Sequence, residues 1–318
     1  MAQDGFRQPG ERFVSARYVS LRFGVSYQTA HRLLAGLQQD GLINRRTGSG
    51  TYIAGEKVSY RRALILFAPR ARRAESFGDF LLQQLIASLE QQKIPFTVQF
   101  DKAQISKISE SDYPVIWERP DLVHSLSRRH RRCLVLHDLP PPGIASLFVD
   151  AVSVDNFSGG MSAGQILARL SPKQPAIVTG PRSDVRSSLR TAGFQHIFPG
   201  VLVIELDSWF NESAEERIFP NLRNREIDAL FCCSDRLAVA TINCYRRLKR
   251  PAPPLVSFDN TPLAEQMHIS AIGIPWERIC KEAAAIIKLR LANHDEAASC
   301  KILPPEPVIR ILRAHLFE

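Results

Sequence analysis

Between Ala63 and Phe258, short apolar runs alternate with stretches of helical period, and this alternation constrains the fold more than any other feature. Residues 63–67 read ALILF, the continuous apolar run of a strand covered on both faces. Residues 77–92 then place Phe80, Leu81, Leu85, Ile86 and Leu89 at helical spacing. Further strands are expected over 96–100, 115–117, 133–136, 146–149, 152–154, 176–179, 201–206, 229–232 and 255–258. Helices are expected over 159–170, 183–194, 212–224 and 235–248. Strand and helix in alternation build doubly wound parallel sheets, so the expected fold class is α/β. Sheets of this kind take their ligands at the carboxyl ends of the strands. Polar residues collect there as Asp155-Asn156, Thr179-Gly180, Ser234-Asp235 and Asp259-Asn260, with Arg190 in the helix after Thr179. Carboxylates with one arginine suit a ligand rich in hydroxyls, since they supply acceptors for O–H and a fork of donors. A single Asp at a strand end reads equally well as a helix cap; the repetition favours binding.

Residues 12–54 follow a different order: helix, turn, helix, hairpin. Ser15 caps a first helix whose apolar positions are Tyr18, Val19, Leu21 and Phe23. Gly24 suits the turn, and Ser26 caps a second helix with Ala30, Leu33, Leu34 and Leu37 on one face. Asp40-Gly41 ends it. Residues 42–44 and 51–53 are the arms of a hairpin whose tip holds Arg45, Arg46, Thr47, Gly48 and Gly50. Tyr27, Gln28, Thr29 and His31, at the exposed start of the second helix, are donors able to reach base edges or phosphates. Residues 1–62 carry ten Lys/Arg against four acids, a surplus of six in a chain whose net charge is +9. A basic small domain fits a polyanionic partner, although a solvated basic surface carries the same charge.

The 12–54 stretch resembles the winged helix-turn-helix of the GntR regulators. The resemblance rests on Pro9-Gly10, Ser15, Arg17, Gly24-Val25-Ser26, Thr29, Leu37, Asp40-Gly41-Leu42-Ile43 and Gly48-Ser49-Gly50-Thr51. It implies that Arg17, Ser26, Gln28, Thr29 and His31 face DNA, with Thr47 and Gly48 entering the minor groove from a wing that also carries Arg45 and Arg46. Tyr27 stands where the family has an arginine, which implies a different operator. The rest of the chain resembles the effector-binding domain of the LacI/GalR repressors, itself similar to periplasmic sugar-binding proteins. Here the matching residues are Val152-Ser153-Val154-Asp155-Asn156 with Gly159-Gly160, Thr179-Gly180 with Arg190 and Gly193-Phe194, and Cys233-Ser234-Asp235 with Ala238. Val256-Ser257-Phe258-Asp259-Asn260 and Pro304-Pro305 with Val308-Ile309-Arg310 complete them. This second resemblance implies a two-lobed, type I sensor in which Arg190 and Asp259 clamp sugar hydroxyls and Ser234 and Phe157 line the cleft.

The two resemblances together imply a DNA-binding domain over 1–55, a linker over 56–62 and a sensor over 63–318. The chain is expected to cross between the sensor's lobes near 156–158, 260–267 and 294–303. The implied function is a repressor that dimerises through its sensor, binds a palindromic operator on double-stranded DNA and responds to a small molecule, a sugar. Arginines in the loop 69–75 (PRARRAE) leave open an anionic or non-sugar effector such as a sugar phosphate, a sugar acid or a purine; such loops are also commonly just solvated.

Other classes are disfavoured. No apolar run reaches 18 residues and the N-terminus has no apolar leader segment, so no membrane contact is expected and the chain is expected in the cytoplasm. A phosphate loop, a dinucleotide-binding glycine motif and a nucleophile elbow are all missing, so an enzyme is not expected. The six cysteines form no C-x-x-C pair and read as small buried hydrophobes; no metal or cofactor is expected. The basic N-terminal domain argues against a solute-binding protein.

Overall fold

The computed structural model describes residues 11–46, 48–54, 59–73, 76–100, 108–207, 209, 214–292 and 297–310. The N-terminal unit consists of helices α1 (Ala16–Phe23) and α2 (Tyr27–Gln39) and an antiparallel hairpin, β1 (Ile43–Arg46) with β2 (Gly50–Ile53). Its local signals act as the sequence suggests. The Ser15 hydroxyl accepts from the Tyr18 amide at 3.2 Å and Ser26 from the Thr29 amide at 3.1 Å, each satisfying one orphan N–H at a helix start. Gly24 closes α1 at φ 65°, a left-handed conformation that glycine adopts without penalty. The core of this unit is small: Ala16, Val19, Ala30, Leu34 and Ile43. Tyr18, Leu21 and Phe23 do not join it, and neither does Leu33; Leu21 is 78% exposed. In an eight-residue helix only one turn's worth of positions faces α2, and Ala16 and Val19 occupy them.

The remaining residues form two lobes. The first holds β3 (Arg62–Phe67), α3 (Phe77–Gln91), β4 (Phe96–Gln99), β5 (Asp112–Trp117), α4 (Pro120–Arg128), β6 (Cys133–Leu136) and β7 (Val149–Val154). The second holds α5 (Asn156–Ala168), β8 (Pro175–Thr179), α6 (Val185–Ile197), β9 (Leu202–Glu205), α7 (Ala214–Arg223), β10 (Ala229–Cys232), α8 (Asp235–Arg247), β11 (Leu255–Asp259), α9 (Pro262–Gln266) and β12 (Ser270–Gly273). The chain then returns to the first lobe with α10 (Trp276–Leu291) and β13 (Cys300–Leu303), and ends in the second with β14 (Glu306–Val308). Strand order is β13-β7-β6-β5-β3-β4 in one sheet and β14-β12-β11-β10-β8-β9 in the other. All pairings in both are parallel except β12 with β14.

Two expectations need correction. The lobe crossings fall at Asp155, at Ile274-Pro275 and at Pro304-Pro305. The first adjoins the expected 156–158. The second lies downstream of 260–267, because β12 still pairs with β11 before α10 leaves to pack on α3. The third lies just past 294–303, because β13 pairs with β7 first. The expected strand over 146–149 is a 3-10 turn, Gly143–Phe148, and β7 starts only at Val149. Three prolines, Pro140 to Pro142, withhold ladder donors just before it.

α10 is anchored by a buried ion pair. Arg290 donates from Nε and Nη2 to Asp150 at 3.0 and 2.7 Å, and Asp150 also accepts from the Tyr113 hydroxyl at 2.6 Å and the Ser299 amide at 2.7 Å. The carboxylate is thereby fully satisfied, the condition under which a buried charge is tolerated.

Candidate ligand-binding cleft

The carboxyl ends of both sheets face one another across a cleft that opens to solvent. The first lobe presents Phe77, Trp117, Glu118 and His137; the second presents Arg186, Arg190, Trp209, Ser234, Arg236, Asp259 and Thr261. Trp117 ends β5, and Glu118 and His137 follow β5 and β6. Asp259 ends β11. The backbone is strained at these ends. Glu118, His137 and Asn260 have φ of 54°, 57° and 55°, and Asp259 lies at 108°. Such conformations carry a cost in non-glycine residues and cluster at functional sites.

Arg190 organises the second-lobe wall. Its Nε donates to Asn156 Oδ1 at 2.8 Å, and its Nη1 to the Cys233 carbonyl at 2.5 Å and to Asp259 Oδ1 at 3.3 Å. The guanidinium lies 3.6 Å from the Phe258 ring centroid. Its helix is set in place by glycines: a Cβ on Gly160 would lie 2.1 Å from the Arg190 carbonyl oxygen, and one on Gly193 2.0 Å from that of Phe157. α5 and α6 therefore touch backbone to backbone, which delivers Arg190 to the cleft. Burial pushes the Asp259 carboxyl up to about 7; Arg190 opposes this and the nearby Asp235 reinforces it.

The neighbouring polar residues have structural duties. Asp235 accepts from the Ser257 hydroxyl at 2.6 Å and from the Thr261 amide and hydroxyl at 2.7 and 2.8 Å, so its oxygens face inward. Ser234 lines the cavity, but its hydroxyl caps α8, accepting from the Leu237 amide at 3.3 Å. Asp155 caps α5 through the Ser158 amide at 2.9 Å.

Charged side chains bridge the lobes. Glu118 of the first lobe pairs with Arg70 and accepts from Arg186 Nη1 of the second at 3.2 Å. Arg186 also binds Asp184 at 2.7 Å, and Trp209 Nε1 donates to Asp184 at 2.7 Å. Against the opposing effect of burial, these bonds hold the Asp184 carboxyl well below the usual carboxylate range. On the first-lobe wall Phe77 packs 4.7 Å from the rings of both His137 and Trp276, and 6.0 Å from that of Trp117. Trp117 Nε1 and His137 Nδ1 are buried without a hydrogen-bond partner among the described residues. Burial, and then the Arg186 and Arg190 charges, push the His137 imidazole well below its ordinary value, so the ring is neutral.

Of the four residues expected to bind an effector, Arg190, Asp259 and Ser234 meet in this cavity. Phe157 does not: it is 37% exposed and packs edge-on against His196. Its neighbour Asn156 faces inward, and one step along a helix turns the next side chain about 100° away. Phe77, Trp117, Glu118, His137, Arg186 and Trp209 were missed, whereas Asn156, flagged among the strand-end polar residues, bonds Arg190. The strand-end rule that flagged Asp259 also points to Trp117, Glu118 and His137, and Arg186 lies one turn before Arg190. Nothing local marks Trp209.

In the N-terminal unit Arg17, Ser26, Tyr27, Gln28, Thr29, His31, Arg46 and Gly48 are exposed and Arg45 is half-buried; Thr47 lies outside the described residues. The Ser26 and Thr29 hydroxyls are 2.8 Å apart, the Tyr27 and His31 rings are 6.3 Å apart, and Arg46 lies over the Tyr52 ring at 5.0 Å. No helix among the described residues is long and apolar enough to cross a membrane.

Residues 166–311 match the periplasmic binding protein-like domain. Over 188 residues the chain is 24% identical to the HTH-type transcriptional regulator CelR of Thermobifida fusca, a match covering 55% of this chain and 53% of that protein. Over 163 residues it is 24% identical to the sucrose operon repressor of Streptococcus mutans, covering 49% and 51%. The chain thus spans about half the length of the curated relatives it matches. Among solved structures, a CelR–cellobiose complex superposes with a TM-score of 0.69 at 18% identity, over 95% of this chain and all of that one. A LacI-family regulator of Enterococcus faecium with bound ribose gives 0.63 at 18% identity, over 80% of this chain and all of that one. The fold of the two lobes, with parallel sheets, is periplasmic-binding-protein-like.

Proposed function

We propose that the chain is a DNA-binding transcription regulator, a repressor, whose operator affinity is set by a sugar bound between the two lobes. The observation that carries this reading is the Arg190–Asp259–Asn156 constellation beside the aromatic wall of Phe77, Trp117 and Trp209. Polyhydroxylated rings are held by such a combination, with bidentate charged groups at the ring edge and aromatic faces against its C–H surface. Relatives named as a sucrose operon repressor and as a regulator complexed with cellobiose support the same ligand class.

In this reading residues 1–55 are a GntR-type winged helix-turn-helix. α2 enters the major groove with Ser26, Tyr27, Gln28, Thr29 and His31, Arg17 contacts the backbone, and Arg45 to Gly48 form the wing. The sensor dimerises and spaces two heads on a palindrome. Closure of the lobes on the sugar is the two-state element that biases the heads.

The chain's three tryptophans, Trp117, Trp209 and Trp276, all lie in or beside the cleft, so intrinsic fluorescence reads binding without a label. A titration with neutral and acidic sugars should change this emission and raise the melting temperature, and Arg190→Ala should abolish both. A gel shift with palindromes from adjacent promoters should show retention that weakens steeply with salt. If no sugar alters emission or stability and no palindrome is retained, the proposal fails. Tyr27→Arg should change operator preference; unchanged preference would remove α2 from the groove.

A further inference from the structure

The arginine-rich turn Pro69–Arg72 divides its side chains. Arg72 turns to the Phe100 ring at 4.9 Å, whereas Arg70 turns inward over the Trp117 ring at 5.0 Å and pairs with Glu118. Glu118 is also the partner of Arg186 across the cleft. One carboxylate, on a backbone at φ 54°, thus sits between two guanidiniums delivered by opposite lobes. Arg190 and Arg236 line the same cavity. Three other carboxylates nearby are engaged, Asp235 by Ser257 and Thr261, Asp184 by Arg186 and Trp209, and Asp259 by Arg190, while Asp138 adds a further negative charge near Arg186. The crowding registers on Arg70, which burial, and then Arg186 and Arg236, push down to about 10.

We propose that the effector is an acidic sugar, bearing a phosphate or a carboxylate, whose anionic group displaces Glu118 from between Arg70 and Arg186. This rests on the reading of the cleft as the effector site. A guanidinium fork matches either anion bidentately. Exchange of one anion for another keeps both guanidiniums compensated. A neutral sugar entering at the same point would remove the carboxylate that the two guanidiniums share, leave Arg186 with Asp184, and bring no negative charge in exchange. Displacement also frees Glu118 from the ion pairs that hold its left-handed backbone.

The test uses the full chain and tryptophan fluorescence titration beside thermal denaturation. The probes are glucose, ribose and cellobiose, then glucose 6-phosphate, ribose 5-phosphate, gluconate and glucuronate, then inorganic phosphate alone. At least one acidic sugar should bind at least about 10-fold more tightly than its neutral parent and than inorganic phosphate. Arg70→Gln should weaken that ligand by about 10-fold or more, the scale of one charge-assisted contact. Glu118→Gln, which removes the internal competitor, should tighten it. Circular dichroism of both variants establishes that they are folded. Neutral sugars binding as tightly as acidic ones, with Arg70→Gln without effect, would overturn the inference and leave the cleft reading intact. Inorganic phosphate binding as tightly as any sugar phosphate would also overturn it. Failure of every probe, with Arg190→Ala indistinguishable from the unaltered chain, would overturn the cleft reading as well.

Discussion

Asp259 should make the protein less stable than it could be, and the cost should depend on pH. Burial moves its carboxyl from an ordinary 3.8 up to about 7. In the unfolded chain the group ionises near 4; in the folded protein it keeps its proton until about 7. A raised carboxyl binds a proton more tightly in the folded state. Its stabilising contribution is fully present below the unfolded pKa and is gone once pH has risen through about 7. The interval from 3.8 to about 7 corresponds to about 4 kcal/mol at full ionisation. Asp259→Asn removes the titration, keeps the shape, and is tolerated at positive φ because asparagine adopts such conformations more readily than most residues. In urea denaturation the variant should therefore gain on the unaltered chain as pH rises, on top of a pH-independent loss from leaving the buried Arg190 without its counter-charge. The difference in stability should move in the variant's favour by about 3 kcal/mol between pH 4.5 and pH 8, since other titrating groups cancel in it. The same variant should lose effector binding, because an amide is a poorer partner for sugar hydroxyls and for Arg190. A difference that does not change between pH 4.5 and 8 would refute the assignment of Asp259 as a desolvated carboxylate.

Three further outcomes follow from the packing. Gly193→Ala forces a Cβ to within 2.0 Å of the Phe157 carbonyl oxygen, so α6 must move. It should cost about 1–3 kcal/mol in thermal or urea unfolding and weaken ligand titrations by displacing Arg190. Asp150→Asn leaves Arg290 buried without its counter-charge and should lower stability by about 3–5 kcal/mol, while the Asp150→Leu, Arg290→Met double variant should recover much of it. Gly41 has φ +68°, and a Cβ there would meet His130 Cε1 at 2.7 Å, a contact between the N-terminal unit and the first lobe. Gly41→Ala should therefore destabilise less in a His130→Ala background, by more than about 0.5 kcal/mol in a double-mutant cycle; strict additivity would rule out that contact.

The parts of this fold that the sequence reveals are those fixed by short-range physics. Strands covered on both faces must be apolar throughout, so 63–67, 133–136, 229–232 and 255–258 stand out as β3, β6, β10 and β11. Caps at Ser15 and Ser26 and the left-handed turn at Gly24 are equally local. The failures are non-local. β12 is four residues, SAIG, with Ile272 its one large apolar side chain, too little apolar mass to be noticed, and α10 after it was not assigned although it closes the first lobe. Lobe membership depends on which strand pairs with which, and that is invisible until β12 and β13 find β11 and β7. In the cleft, Asp259 was legible because polar residues repeat at the strand ends, and Arg190, inside α6, through the family resemblance. Trp117 and His137 stand at strand ends too, but an aromatic closing an apolar run looks like core.

The cleft also sets a condition on how a ligand can act at a distance. A ligand shifts a two-state equilibrium only by its difference in affinity for the two states. Here Glu118 and Arg186 bond across the lobes at 3.2 Å, so the protein carries an interlobe ion pair of its own. A ligand that fills space while leaving this pair in place adds only its own bridging contacts to closure. A ligand that replaces Glu118 must bind Arg70 and Arg186 better than that carboxylate does, or it opens the lobes instead of closing them. The left-handed backbones at Glu118, His137, Asp259 and Asn260 and the desolvated Asp259 carboxyl tilt this balance. They raise the energy of the cleft, which increases the difference a well-matched ligand makes and lowers the stability of the protein.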